Sequence, residues 1–94
     1  MTNRIKIFED KDNDRTIAVL LNKKGEVTNI DFFQGGFDES TIQGATEGIF
    51  NKNIFIVEIY NRLCSQFTSL TFEDRIQRAC ELYTFAFIFQ EVNY

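Results

Sequence analysis

The first third of the chain alternates. Ile5 and Ile7 are interleaved with Arg4 and Lys6, and Ile17, Val19 and Leu21 with Thr16, Ala18 and Leu20. A period of two belongs to half-buried strands, because successive strand side chains point to opposite faces. A third run, EVTNIDFF at 26–33, is less regular. Ile30 and Phe32 fall on one face, Val27 and Phe33 on the other, as a bulge or burial on both faces would produce. LNKKGEV joins the second and third runs and offers Gly25 for the left-handed position of a short hairpin loop. The pattern predicts a three-stranded antiparallel meander over 3–9, 15–22 and 26–33.

QGGF at 34–37 ends this periodicity, with Gly35–Gly36 read as a flexible break. Helical spacing follows. Asp38 in DEST suits an N-cap, and a short helix over 38–50 is weakened by Gly44 and Gly48. NKN at 51–53 interrupts it. Ile56, Tyr60, Leu63 and Phe67 then form one apolar face of a helix over 53–68. Thr71 with Asp74 three residues on resembles a capping box that opens a last helix over 72–90. Ile76, Cys80, Tyr83 and Phe87 make its first stripe; Leu82, Phe85 and Phe89 make a second beside it. In YTFAFIF at 83–89 the aromatics also alternate as in a strand. The strongly helical EDRIQRACEL before it, with no breaker between, decides for helix. The fold class is therefore α+β: one domain over 1–94, a three-stranded antiparallel sheet with helices packed on one face.

Composition sharpens this picture in three places. Ninety-four residues with eleven Phe can build a real core, although a chain this short hides only about 60–65% of its unfolded surface. The formal net charge of −4 argues against sequence-independent nucleic-acid binding and against attraction to an anionic membrane. The N-terminal MTNRIKIFEDKDND lacks the apolar stretch of a signal peptide, so Cys64 and Cys80 are expected as reduced, buried thiols in a cytoplasmic protein.

Candidate chemistry centres on EDKDND at 9–14. Asp10, Asp12 and Asp14 match the first three ligand positions of a calcium loop, but Arg15 stands where glycine is needed and Leu21 where the bidentate Glu belongs. The stretch reads instead as a turn with an exposed acidic tip. Lys6, Lys11 and Arg15 interrupt the regular negative field that imitation of nucleic acid requires. With no His there is no Ser–His or Cys–His pair and no common metal ligand, and two isolated Cys do not make a zinc site. No enzyme, metal or cofactor is expected.

The aromatic surplus is more informative. DFFQGGF gathers Phe32, Phe33 and Phe37 around the glycines, and one sheet face with two helix faces cannot easily hide every ring. Asp10, Asp12, Asp14, Phe33 and Phe37 are the candidate partner-binding residues. Leu82, Phe85 and Phe89 are the candidates for self-association into a homo-oligomer. The expected function is that of a small protein-binding inhibitor or adaptor, for example a phage-type inhibitor of a host enzyme or defence complex. An acidic nucleic-acid decoy and an oligomer that sequesters a small ligand are the alternatives; neither membrane nor direct nucleic-acid binding is expected.

Overall fold

Strand β2 (Arg15–Leu21) is the centre of the sheet, with β1 (Arg4–Asp10) antiparallel on one side and β3 (Val27–Gln34) antiparallel on the other. Three helices follow, α1 (Glu39–Gly48), α2 (Ile54–Gln66) and α3 (Phe72–Val92), which gives the expected α+β arrangement. The structure is a computed structural model that describes the backbone at 4–50 and 54–92 and side chains as far as Ala86. The NKN stretch read as a helix break therefore lies outside the described residues. The backbone groups into two compact units, Met1–Ile54 and Phe55–Tyr94.

In the first unit, α1 lies on the sheet face that carries Ile5, Ile7, Ala18 and Leu20, where Ala18, Ala45 and Ile49 form a dry cluster. The glycines that weaken α1 as a helix are the places where the sheet comes closest. A Cβ on Gly44 would stand 2.8 Å from the Phe33 ring, and one on Gly48 would strike the Asp31 carboxylate. Both ends of the helix are tied. Asp38 and Thr41 form a reciprocal capping box at the start, and buried Asn29 donates from Nδ2 to the Ile49 carbonyl at the end.

One expectation is corrected here. β2 is not half-buried but buried on both faces: Thr16 and Ala18 on one, Ile17 and Val19 on the other. Both faces of this central strand are covered, so the alternation records only which side chains share a face. Burying a side chain such as Ile17 stabilises by about 1.5–3 kcal/mol. The irregularity in β3 is a bulge. Leu20 pairs with Asn29 and Leu21 with Val27, so Thr28 is the extra residue and Val27 rejoins the face of Ile30. Asn22 closes the preceding loop, its side-chain oxygen accepting from the amides of Lys24 and Glu26, with Gly25 at φ 84° as expected.

In the second unit, Ile56, Tyr60 and Leu63 are buried along α2, and Ile76, Ala79 and Cys80 along α3. Phe67, expected on the buried face of α2, falls past its end and is 46% exposed. The Tyr60 and Phe72 rings meet edge to face, centroids 6.1 Å apart. Burial, with the Cys64 thiol beside it, pushes the Tyr60 hydroxyl up to about 12. Thr71 accepts the Asp74 amide, while Arg75 donates to the carbonyls of Phe67 and Thr68 and closes the loop before α3. The segment 83–89 is helical throughout. The side chain of Phe87, the last member of the first stripe, lies outside the described residues.

Candidate binding surface at the turn end of the sheet

Two stretches some twenty residues apart in sequence meet at one end of the sheet. The Gly35 amide donates to the Asp14 carbonyl at 2.9 Å, and the Gln34 side chain donates to the same carbonyl at 3.0 Å and to that of Asn13. EDKDND and QGGF are thereby stitched side by side.

Each turn has its own local cause. Lys11–Asn13 form a single 3-10 turn, which Asp14 ends in the left-handed region at φ 48°. Asp tolerates that conformation better than most residues because its short polar side chain bonds locally. Gly35, at φ 126°, has no such alternative, and a Cβ there would also stand 2.8 Å from the Thr41 methyl.

Gly35–Gly36 is not a loose break. The Gly36 carbonyl accepts from the hydroxyls of Thr16 and Thr41 and from the Asp38 amide, so the turn is bonded to the sheet and to α1 at once. The sequence suggests flexibility because glycine frees the backbone; the neighbouring hydroxyls remove that freedom.

The expected acidic tip also needs correction at one residue. Asp10 is only 1% exposed and faces Arg15 across the β1–β2 pair, with Arg15 Nε donating to Asp10 Oδ2 at 2.9 Å. Asn13 Nδ2 donates to the same oxygen at 2.9 Å, and the guanidinium carbon stands 4.6 Å from the Phe32 ring centroid. The pairing offsets the cost of burying the two charges only in part, since Asp10 Oδ1 is buried without a hydrogen-bond partner. The register makes the difference: it sets Asp10, and not Asp12 or Asp14, opposite Arg15 as a cross-strand neighbour. Asp10 is thus committed to Arg15 and Asn13 rather than to a bound cation. Among the described residues, no three His, Cys, Asp or Glu side chains gather to hold a metal ion.

What remains at the surface is compact in sequence and mixed in character. Asp12 and Asp14 belong to one turn and lie toward solvent, with Asp12 exposed. Phe33 and Phe37, 43% and 46% exposed, flank the other, followed by exposed Asp38 and Glu39. Phe33 lies against Gly44, so only its outer part is offered. The Thr41 amide and hydroxyl hold the Asp38 carboxyl below the usual carboxylate range, and it is charged at neutral pH. Of the residues singled out for partner binding, the structure draws Asp12, Asp14, Phe33 and Phe37 to this surface and withdraws Asp10. A phosphate-imitating row of carboxylates loses a member by the same fact.

The self-association candidates belong to the second unit. Leu82 and Phe85 are exposed on α3, Phe85 at 68%, while the side chain of Phe89 lies outside the described residues. Sequence reasoning missed Phe50, just past the end of α1, and Ile54 and Phe55 at the start of α2, all of them exposed. No helix among the described residues is long and apolar enough to cross a membrane. Comparison of the chain with family models, with curated proteins and with solved structures finds no match.

Proposed function

We propose that the protein is a cytoplasmic, non-enzymatic binding module, an inhibitor or adaptor, that presents the turn end of its sheet to another protein. One observation carries this reading. The bonds from the Gln34 side chain and the Gly35 amide to the Asp14 carbonyl hold exposed Phe33 and Phe37 beside the turn that bears Asp12 and Asp14. Apolar anchors with a charged rim are the usual anatomy of a recognition surface. A surface fixed by backbone bonds loses little conformational freedom when it binds. The partner that fits is a protein with an apolar recess rimmed by Lys and Arg.

The test uses immobilised protein, an extract of the source cell and mass spectrometry of what is retained. Phe37→Ser and the pair Asp12→Asn with Asp14→Asn serve as matched controls, since these side chains contribute little to the fold. A partner retained by the native chain is lost with Phe37→Ser. With the aspartate pair it associates more slowly and with weaker salt dependence. A partner retained equally by all three proteins overturns the reading.

A further inference from the structure

We propose that the chain assembles head to tail: the hairpin end of its sheet, with Lys23, Lys24 and Phe50, seats on the acidic turn end of a second copy. This assembly rests on the turn end being a recognition surface, and makes a second copy one of its partners.

Opposite ends of the first unit carry opposite charge. At the turn end Asp12, Asp14, Asp38 and Glu39 are exposed beside Phe33 and Phe37. Lys11 lies among these carboxylates, and Arg15 is buried with Asp10. At the other end is the β2–β3 loop, with Lys23 and Lys24 exposed at its apex. Arg4, opposite Leu21 in the ladder, is exposed at the same end. α1 finishes there too, since the Ile49 carbonyl accepts from Asn29, the partner of Leu20. Phe50 follows directly and is 67% exposed. Glu26 and Glu47 are the carboxylates of this end, and each accepts from an amide side chain, of Asn22 and Gln43. Each end thus offers aromatic surface and charge, anionic at the turns and mainly cationic at the hairpin.

The two ends cannot satisfy each other within one molecule. β2 separates them by seven residues, about 20 Å at the rise of a strand. Charges that far apart are largely screened at physiological ionic strength, where the screening length is about 8 Å. A second copy brings unlike ends into contact. Both ends are held ready for it. The Asn22 side chain closes the hairpin loop, and the Gln34 side chain and Gly35 amide fix the turns, so little freedom is lost on meeting. Joining unlike ends gives chains or rings of copies rather than a pair related by like faces.

Sedimentation with two charge-reversed variants tests the proposal. The native chain, raised from about 10 μM to about 1 mM, is expected to exceed the mass of a dimer. It should fall back toward a monomer at about 1 M salt, where the screening length is about 3 Å. Lys23→Glu with Lys24→Glu leaves both ends acidic. Asp12→Lys with Glu39→Lys removes the acid from the turn end while sparing the Asp38 cap and the left-handed Asp14. Circular dichroism verifies that both variants fold. Each alone should associate about tenfold more weakly than the native chain or worse. Mixed in equal amounts they should associate again, because each supplies the end that the other lacks. A native chain that stays monomeric overturns the proposal. So do variants that assemble like the native chain, or a mixture that associates no better than its parts. A monomeric chain that still loses its captured partner with Phe37→Ser sinks head-to-tail assembly and leaves the turn-end reading standing. Assembly restored by mixing, with partner capture indifferent to Phe37→Ser, does the reverse.

Discussion

Asp10 and Arg15 face each other across the β1–β2 pair and share a 2.9 Å charged hydrogen bond, with 0% and 5% of their side chains exposed. Removing one partner strands the other charge. Asp10→Asn is expected to cost roughly 3–5 kcal/mol, as for other broken buried pairs. Asp12→Asn and Asp14→Asn lie on the outer side of the same turn and should each stay within about 0.5 kcal/mol. Urea unfolding of the three single variants checks the contrast. Equal, small effects at all three positions would show that the pair contributes little.

Thr41 joins the cap of α1 to the glycine turn, since its hydroxyl donates to the Gly36 carbonyl and its amide to Asp38. Thr41→Val keeps the shape and removes the hydroxyl. The expected loss is about 1–3 kcal/mol, from a carbonyl left short of a donor. The same substitution should raise the exchange rate of the Gly35 amide. A variant with native stability and exchange would mean that Thr16 alone suffices.

Asp31 and Asp38 respond to pH with opposite signs. Burial raises the folded pKa of Asp31 above 3.8. The native state then holds more protons than the unfolded one, so this group's contribution falls as pH rises above 3.8. Asp38 is lowered from 3.8, so its contribution is present above that value and is lost as pH falls through the folded pKa. Asp31→Asn should therefore raise the melting temperature at neutral pH, with the gain vanishing in acid. A gain that persists unchanged in acid would count against desolvation as the cause.

Gly48 is the position to challenge next. In an exposed helix Gly→Ala stabilises by about 1 kcal/mol. Here the new methyl would meet the Asp31 carboxylate, and Gly48→Ala should destabilise. Combining it with Asp31→Ala should recover part of the loss, as expected for residues in contact. Additive effects would show that the two residues do not meet.

The two thiols should differ in reactivity. Cys80 is fully buried, whereas Cys64 is half-buried, and no disulfide joins them. A thiol reagent should modify Cys64 first and reach Cys80 only at the rate of unfolding. Simultaneous rapid labelling would contradict the burial of Cys80.

The sheet and helices were legible because each segment repeats its own period, and the punctuation at Gly25, Gly35–Gly36 and Asp38 is local chemistry. The bulge was legible as an irregularity, since a slip of one residue must reverse a face. The fate of the charges was not. Nothing local distinguishes Asp10 from Asp12; the difference comes from Arg15 across the ladder and Phe32 one strand further. The glycines of α1 misled for a similar reason. Propensity records what they cost the helix, and only tertiary packing reveals Phe33 and Asp31 above them. At the candidate surface, residue types could be named from the sequence, but their meeting depends on hydrogen bonds between residues twenty positions apart.

The loop at Asn22–Glu26 has a practical use. Asn22 closes it through its own side chain and a backbone bond to Glu26, and Lys23 and Lys24 at its apex are exposed. Lengthening such a loop costs little, because closure entropy grows only slowly with added residues. A fluorophore or an affinity tag inserted between Lys23 and Lys24 would leave the chain free to be anchored to a sensor with its other turns facing the sample.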